Sequence, residues 1–449
     1  MAIIWEPCLA SPSVDRPDLY GRQHNRMRTQ ALIIGAGPAG CAAAYFLARQ
    51  GVEVLLADQY TFPRDKACGD GVSPAGIRLL VRMGVLDPAR LTAGERRLVK
   101  GIRVVAPSGA SVDLHYPWLS AQKGLDQGCV IPRRELDAML VQRAVAVGAT
   151  FLPGFRATEP VWEAGRVAGM QGACDGRAME LRADIIIVAT GCRLRLLRAL
   201  GLCESAPPST IGVRGYLALQ TSAFPEPYIH IHVQPTLLPD YAWIFPVNDQ
   251  LVNVGVACAR GWRQPDKDAL TTLLSRFVAQ NSGAAHRLAG AVPVGPPMGA
   301  PLRADFLRRR TYAAGILVAG EAAGLVDPLT GEGIAFALQS GELAAQVAFR
   351  ALATGDFDRG LAAYDRALKH RFASYFRFAR QLRARLRDPH VAEALVSMAA
   401  QLKRARAHGW VSSPAARLAQ YVLGSLPVLG CTPYLAYRLM AIRSRRIEL

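Results

Sequence analysis

The chain has 449 residues, 51% of them apolar, enough for two or three subdomains with sizeable cores. Its formal net charge is +18, yet no nucleic-acid motif accompanies the basic residues, so nucleic acid is excluded as the expected partner. Nine Cys without a CxxC pair speak against a zinc or iron–sulfur centre and predict buried thiols in a reducing, cytoplasmic compartment, and the sequence has no apolar run of about 18 residues that would predict a transmembrane helix.

Residues 1–28 are rich in Pro, Arg and polar groups and lack the apolar core of a secretory signal, which predicts a disordered leader. Met27 stands just before the first predicted strand, so the leader is also readable as the product of an upstream start site.

Ala31–Ile34 is a short apolar run that predicts a buried parallel strand, and Cys41–Ala48 predicts a helix of small residues. Between them lies Gly35-x-Gly37-Pro38-Ala39-Gly40. This spacing makes a tight turn, lets backbone approach a pyrophosphate, and lets the helix pack on the strand, with the helix N-terminus facing the phosphates. A second apolar run, Val52–Ala57, ends in Asp58, about 20 residues on, where a carboxylate accepts ribose hydroxyls. Strand, helix and acid together predict a dinucleotide-binding domain.

The Gly-, Pro- and Asp-rich loop Gln59–Pro74 follows, and unstructured loops of this length are usually functional. Its Arg64 and Lys66 either contact cofactor phosphate or face solvent. Ile77–Met83 predicts a helix, Gly101–Leu114 a strand pair turning at Pro107–Gly109, and Ile131–Val147 a helix with Arg133 near its start. Val161–Leu181 alternates as a β-meander with turns at Gly165 and Asp175–Gly176, and Ala183–Ala189 is a separate buried strand followed by Thr190–Gly191. Ser209–Ala259 predicts a mostly antiparallel sheet, Asp266–Ala279 a helix, Gly315–Ala319 a further buried strand, and Ile334–Ala353 a small-residue helix.

The fold class expected is therefore α/β. A Rossmann-type cofactor domain is discontinuous (29–205, then 301–353), with an antiparallel substrate-binding sheet inserted at 206–300 and some of its strands near 101–130. The last stretch, 354–449, is basic and helical: from Arg366 onward it holds 16 Lys and Arg against 3 Asp and Glu. Phe372, Tyr375, Phe376, Ala379, Leu382 and Leu386 fall on one helical face, with Arg377, Arg380, Arg385 and Arg387 outside it. Two readings stand for this region, a helix packed on the body with a solvated basic side, or peripheral contact with an anionic membrane surface. Gln420–Ile442 is apolar but broken by Gly and Pro, suited to an interface rather than to a span.

A second constellation is Gly320-Glu321-Ala322-Ala323-Gly324 with Pro328 and Gly331-Glu332-Gly333-Ile334. A carboxylate at a strand end can hold a ribityl chain, and a turn opening a helix can set N–H groups against an anionic ring. With the N-terminal fingerprint and Arg133-x-x-Leu136-Asp137, this resembles the FAD-dependent enzymes of para-hydroxybenzoate hydroxylase fold over residues 29–350. It departs at Glu321, where Asp is usual; the extra methylene implies altered geometry with binding retained.

Within that group the chain is most similar to the geranylgeranyl reductase family. The loop Phe62–Gly71, with Cys68-Gly69-Asp70-Gly71, resembles the family's flavin-side cysteine loop, and Tyr241-x-Trp243-x-Phe245-Pro246 resembles its aromatic motif. The resemblance implies FAD as cofactor, held by Gly35, Gly37, Pro38, Ala39, Gly40, Asp58, Lys66, Gly69, Asp70, Gly71, Arg133, Gly320, Glu321, Gly331, Gly333 and Ile334. It implies catalytic roles for Cys68, Tyr241 and Trp243, and an isoprenoid tunnel lined by Tyr241, Trp243 and Phe245. A single GxGxxG leaves NAD(P)H, docking transiently, or a ferredoxin as electron donor. Rival readings are a flavin monooxygenase or halogenase of the same fold acting on an aromatic or polyketide, weakened by Thr190–Gly191 in place of Asp-Gly, and a flavoprotein serving only electron transfer or scaffolding.

Overall fold

The computed structural model describes residues 26–92, 97–116, 126–203, 210–220, 224–259, 267–280, 282–357 and 359–407. The leader expected at 1–28 therefore lies outside these residues, apart from its last three, and so does Gln420–Ile442.

The centre of the first sheet is the strand Arg26–Ile34, which begins inside the segment expected to be leader because Arg26–Arg28 pair with Glu180–Arg182. On one side it pairs in parallel with Val54–Asp58 and then Thr150–Pro153; on the other with Arg177–Val188 and then Ile316–Val318. Ala31–Ile34 are buried on both faces, as parallel strands covered by helices are. The meander strand and the separate buried strand expected at Ala183–Ala189 are one element, Arg177–Val188. Its first half pairs antiparallel with Arg166–Cys174 and its length pairs in parallel with the central strand, so no turn interrupts it.

The helix Pro38–Ala48 packs against Ile334–Thr354 through small residues. A Cβ on Gly341 would strike the Ala39 carbonyl, so the two helices approach at backbone distance. That contact brings the chain's two glycine-rich turns to one edge of the sheet.

The second sheet runs Val292–Leu302, Thr210–Ala218, Leu251–Cys258, Ala242–Pro246, Tyr228–His232, Gly101–Val105, Ser111–His115. It is antiparallel except between Tyr228–His232 and Gly101–Val105. One face buries Val213, Ile244 and Val254 with Leu270, Leu274 and Phe277 of the helix Lys267–Gln280. The other face carries Ile102, Ile229, Trp243 and Phe245. A small sheet of Gly71–Val72, Gly128–Val130 and Leu98–Val99, which the sequence reading did not anticipate, ties the cysteine loop to the segment before Arg133.

In the helix Arg359–Arg385, Phe372, Tyr375, Phe376 and Ala379 are buried, while Arg377, Arg380 and Arg385 are exposed. Phe376 and Phe372 meet Phe336 edge-on at 5.3 Å, so the apolar face packs on the cofactor-side helix Ile334–Thr354. A last helix, Pro389–Ala407, buries Val396 and Ala399 with Ala106 and Val112 of the second sheet, and Ser108 Oγ donates to Glu393 Oε1 at 2.6 Å.

Candidate functional site

The three fingerprint glycines do three different things. Gly35 has φ +108, and a Cβ there would collide with the Ala189 carbonyl, so only glycine makes the turn. A Cβ on Gly40 would collide with the Gly35 carbonyl, which fixes how closely helix meets strand. A Cβ on Gly37 meets nothing within 4 Å. The protein leaves free, beside the start of the helix Pro38–Ala48, the space in which a pyrophosphate needs close backbone approach.

Asp58 ends its strand and is buried. Its Oδ2 accepts the Ala36 N–H at 2.7 Å and its Oδ1 the Tyr60 N–H at 2.9 Å, so the carboxylate pins the glycine turn to the neighbouring strand. Burial raises its pKa and these two donors oppose the rise. Arg133 is buried against Asp137 through two hydrogen bonds of 2.9 and 2.7 Å, and Arg64 reaches the same carboxylate at 2.9 Å. Lys66 pairs with Glu321 at 3.2 Å. Arg64 and Lys66, expected to meet phosphate or solvent, thus have partners within the protein. Both still line the cavity described below.

Glu321 follows Gly320 at the end of the strand Ile316–Val318. Lys66 takes its Oε2, while its Oε1 is buried with no hydrogen-bond partner among the described residues. A buried acceptor without a donor is costly unless a ligand supplies one, and the hydroxyls of a ribityl chain are such donors.

The cysteine loop is held from below by the second sheet. Asp70 sits in the left-handed region at φ +65 and is completely buried. Its Oδ2 accepts from the Tyr216 hydroxyl and from Asn253 Nδ2 at 2.8 Å, and its Oδ1 from the Arg133 N–H at 3.2 Å. Burial nevertheless pushes the Asp70 carboxyl up to about 6. The Cys68 sulfur accepts the Asp70 N–H at 3.3 Å, and burial raises the thiol's pKa, so it stands protonated at neutral pH. Asn253 joins the loop to the aromatics: its Nδ2 donates to the Cys68 carbonyl at 2.8 Å and its Oδ1 accepts from Trp243 Nε1 at 3.0 Å.

Trp243 and Phe245 project from one face of their strand and, with Tyr241, belong to one apolar cluster. Gly255 on the adjacent strand makes room for the indole, since a Cβ there would strike the Trp243 ring. A Cβ on Gly69 would come within 2.9 Å of the Phe245 ring, so the loop rests directly on the aromatic face. The Tyr241 hydroxyl donates to the Thr330 carbonyl, which ties the substrate-side sheet to the turn Gly331–Gly333.

One cavity of about 950 Å³ joins these parts. It is lined by Gly35, Gly37, Cys68, Glu321 and Gly333, and by Tyr241, Trp243 and Phe245. From there it extends under an apolar roof where Ile102, Val104 and Ile231 of the sheet face Leu395 and Val396 of the last helix. Asn253, Tyr216 and Arg214 were missed by the sequence reading, as was the place of the helix Pro389–Ala407, within the expected helical region, on the cavity wall. Asn253 had a local signal, a lone amide in the apolar strand Leu251–Cys258, where a buried polar side chain implies bonded partners. Arg214, paired with Asp65 at 2.6 Å and stacked on Tyr216, had none.

Free space at Gly37, the unmet acceptor of Glu321 and the volume of the cavity all fit FAD, with the pyrophosphate at the first turn and the ribityl chain at Glu321. Comparison with known proteins agrees. The FAD binding domain family matches residues 28–368. A digeranylgeranylglycerophospholipid reductase of Methanothrix thermoacetophila is 31% identical over 343 residues, covering 76% of this chain and 83% of that protein. A menaquinone reductase of Mycolicibacterium smegmatis is 29% identical over 433 residues, covering 94% of this chain and 98% of its own. The solved structure of a geranylgeranyl bacteriochlorophyll reductase-like protein from Thermoplasma acidophilum superposes with TM-score 0.73 at 24% identity, covering 84% of this chain and 92% of that one. The chain belongs to the geranylgeranyl reductase family of FAD-dependent oxidoreductases.

Proposed function

We propose that this flavoenzyme saturates C=C bonds of an isoprenoid chain. The observation that carries the reading is the continuity of the cavity, from the glycine turn and Glu321, past the cysteine loop and Trp243, to the apolar roof under the last helix. When bound, reduced flavin supplies a hydride to one alkene carbon. The protein's own part is to hold a chain without polar handles against that position and to exclude water from it. Trp243 and Phe245 supply the surface. Asn253 and Asp70 fix the loop that carries Cys68, and the Cys68 thiol, neutral at working pH, positions the alkene or a water beside it. Both reductase relatives are named for substrates that carry polyprenyl chains, which supports an isoprenoid over an aromatic substrate.

NAD(P)H or a ferredoxin would reduce the flavin, and the exposed arginines Arg377, Arg380 and Arg385 would hold the protein at an anionic membrane surface where such lipids reside. None of the described helices is long and apolar enough to cross a membrane. The decisive experiment is mass spectrometry of lipid extracts from cells with and without the gene. The reading requires loss of species carrying one extra H2 per saturated bond when the gene is deleted, and an unchanged isoprenoid profile would overturn it.

A further inference from the structure

Two acids lie close together in the segment that opens the helix Ile334–Thr354, and their surroundings differ. Asp327 Oδ1 accepts the N–H groups of Leu329 at 2.8 Å and Thr330 at 3.2 Å, and its Oδ2 accepts the Tyr375 hydroxyl. Burial raises its pKa, and those donors oppose the rise. Glu332, between Gly331 and Gly333, lines the cavity, and its Oε1 is buried with no hydrogen-bond partner among the described residues. Among the described residues no Lys or Arg pairs with it. Within electrostatic reach of it are Ser73, the cap of the helix after the cysteine loop, Tyr116, Tyr241 and Tyr375, and the carboxylate of Asp327. None of these is a cation. Every charged neighbour makes a second negative charge harder to place.

We propose that Glu332 is the acid that delivers the proton in the reduction. This inference rests on the isoprenoid reading above. One alkene carbon receives the hydride from reduced flavin. The π electron pair forms the second C–H bond with the Glu332 proton as its O–H bond breaks, leaving a carboxylate that is reprotonated from water. The alkene gains H2, one hydride with its two electrons from the flavin and one proton from Glu332, and the flavin is oxidised by two electrons. Burial, and after it the Asp327 charge, push the Glu332 carboxyl up to about 7, so a protonated fraction persists near neutral pH while Asp327 holds its three donors. The two neighbouring carboxyls differ in their donors, three on Asp327 against a partnerless Oε1 on Glu332, and this makes Glu332 the acid of the pair.

The test uses the FAD-loaded enzyme and two variants, Glu332→Gln and Glu332→Asp. Infrared difference spectra of wild type against each variant follow the protonated carboxyl band through neutral pH. Anaerobic reoxidation of the dithionite-reduced enzyme by a geranylgeranyl lipid follows the proton-dependent step. A carboxyl band that titrates near 7 in wild type and is absent from E332Q is expected. Reoxidation of E332Q should be about 100-fold slower or more, as for loss of a general acid, with partial recovery in E332D. Wild-type reoxidation should fall as pH rises through that value, and E332Q should lose this limb. Reoxidation of E332Q at the wild-type rate, or the lack of a titrating band, overturns the proposal. A wild-type enzyme that no geranylgeranyl lipid reoxidises overturns the isoprenoid reading and the proton step with it, whereas the infrared titration separately reports the protonation of Glu332.

Discussion

Asn253 donates its amide to the main-chain carbonyl of Cys68 across 2.8 Å, from a strand of one sheet to a loop of the other domain. The same side chain accepts from Trp243 and donates to Asp70, so the cysteine loop and the aromatic wall share one rigid reference. Replacing Asn253 by Leu keeps the volume and leaves three buried groups short of a partner. A loss of about 1–3 kcal/mol for each unsatisfied group is the upper scale of the damage. Turnover of a prenyl substrate should fall at least tenfold with FAD content retained, about 1.4 kcal/mol of transition-state positioning. Cys68→Ala should likewise keep FAD and lose most turnover. If kcat survives in the Cys68 variant, the thiol is a packing group and the loop acts through its backbone alone.

Gly37→Val tests the cofactor turn, because a Cβ at this position meets nothing within 4 Å among the described residues. The variant should fold with a wild-type far-UV spectrum and emerge colourless. Gly40→Val, whose side chain strikes the Gly35 carbonyl, should instead be unstable. Stoichiometric FAD in the Gly37 variant would show that the pyrophosphate lies elsewhere.

Trp243→Ala removes apolar lining from the cavity and leaves the glycine turn untouched. Burial of an aromatic contributes on the order of 2–3 kcal/mol, so KM for long prenyl chains should rise about 30- to 150-fold, and less for short ones. Gly255→Val, which displaces the same indole from the neighbouring strand, should reproduce the pattern. Equal losses for long and short chains would assign the indole to the core.

His230 and His232 are buried side by side, stacked at 6.3 Å between Phe224 and Phe277, and among the described residues neither His232 nitrogen has a hydrogen-bond partner. Burial, together with Arg287, depresses His230 to about 3 and His232 to about 4. Between the folded value and the ordinary 6.5 the unfolded chain binds more protons, so stability is lost as pH falls through this window. His232→Phe should be at least as stable as wild type at neutral pH. Urea titrations at about pH 5 should show it losing on the order of 2 kcal/mol less than wild type does. Equal acid sensitivity of the two proteins would place the lability in other groups.

Binding to an anionic surface is tested by flotation with phosphatidylglycerol vesicles. Each arginine near such a surface contributes about 1 kcal/mol, screened over roughly 8 Å in physiological salt. The full chain should float at low salt and be released above about 0.5 M. Retention in the soluble fraction at low salt would leave Arg377, Arg380 and Arg385 as the solvated side of a packed helix.

The sequence by itself determined the parts whose physics is local. A turn that needs glycine at positions 35 and 40 and leaves open space at 37, a buried strand ended by an acid, and alternation in the second sheet are all set by residues a few positions apart, and all stand in the structure. Burial of Phe372, Tyr375 and Phe376 likewise follows from helical period alone. Tertiary structure alone decided which distant groups share an environment. The period-2 pattern of the meander does not tell that Arg177–Val188 continues unbroken, because its two halves are read by different partners on the sheet. Lys66 meeting Glu321, Arg383 meeting Asp240, and Asn253 reaching Cys68 span 255, 143 and 185 positions. Such pairings arise from the packing of two sheets and carry no periodic trace in the chain. Burial without a partner, which sets Glu332 apart from Asp327, is a property of the space around a carboxyl, and only the folded protein defines that space.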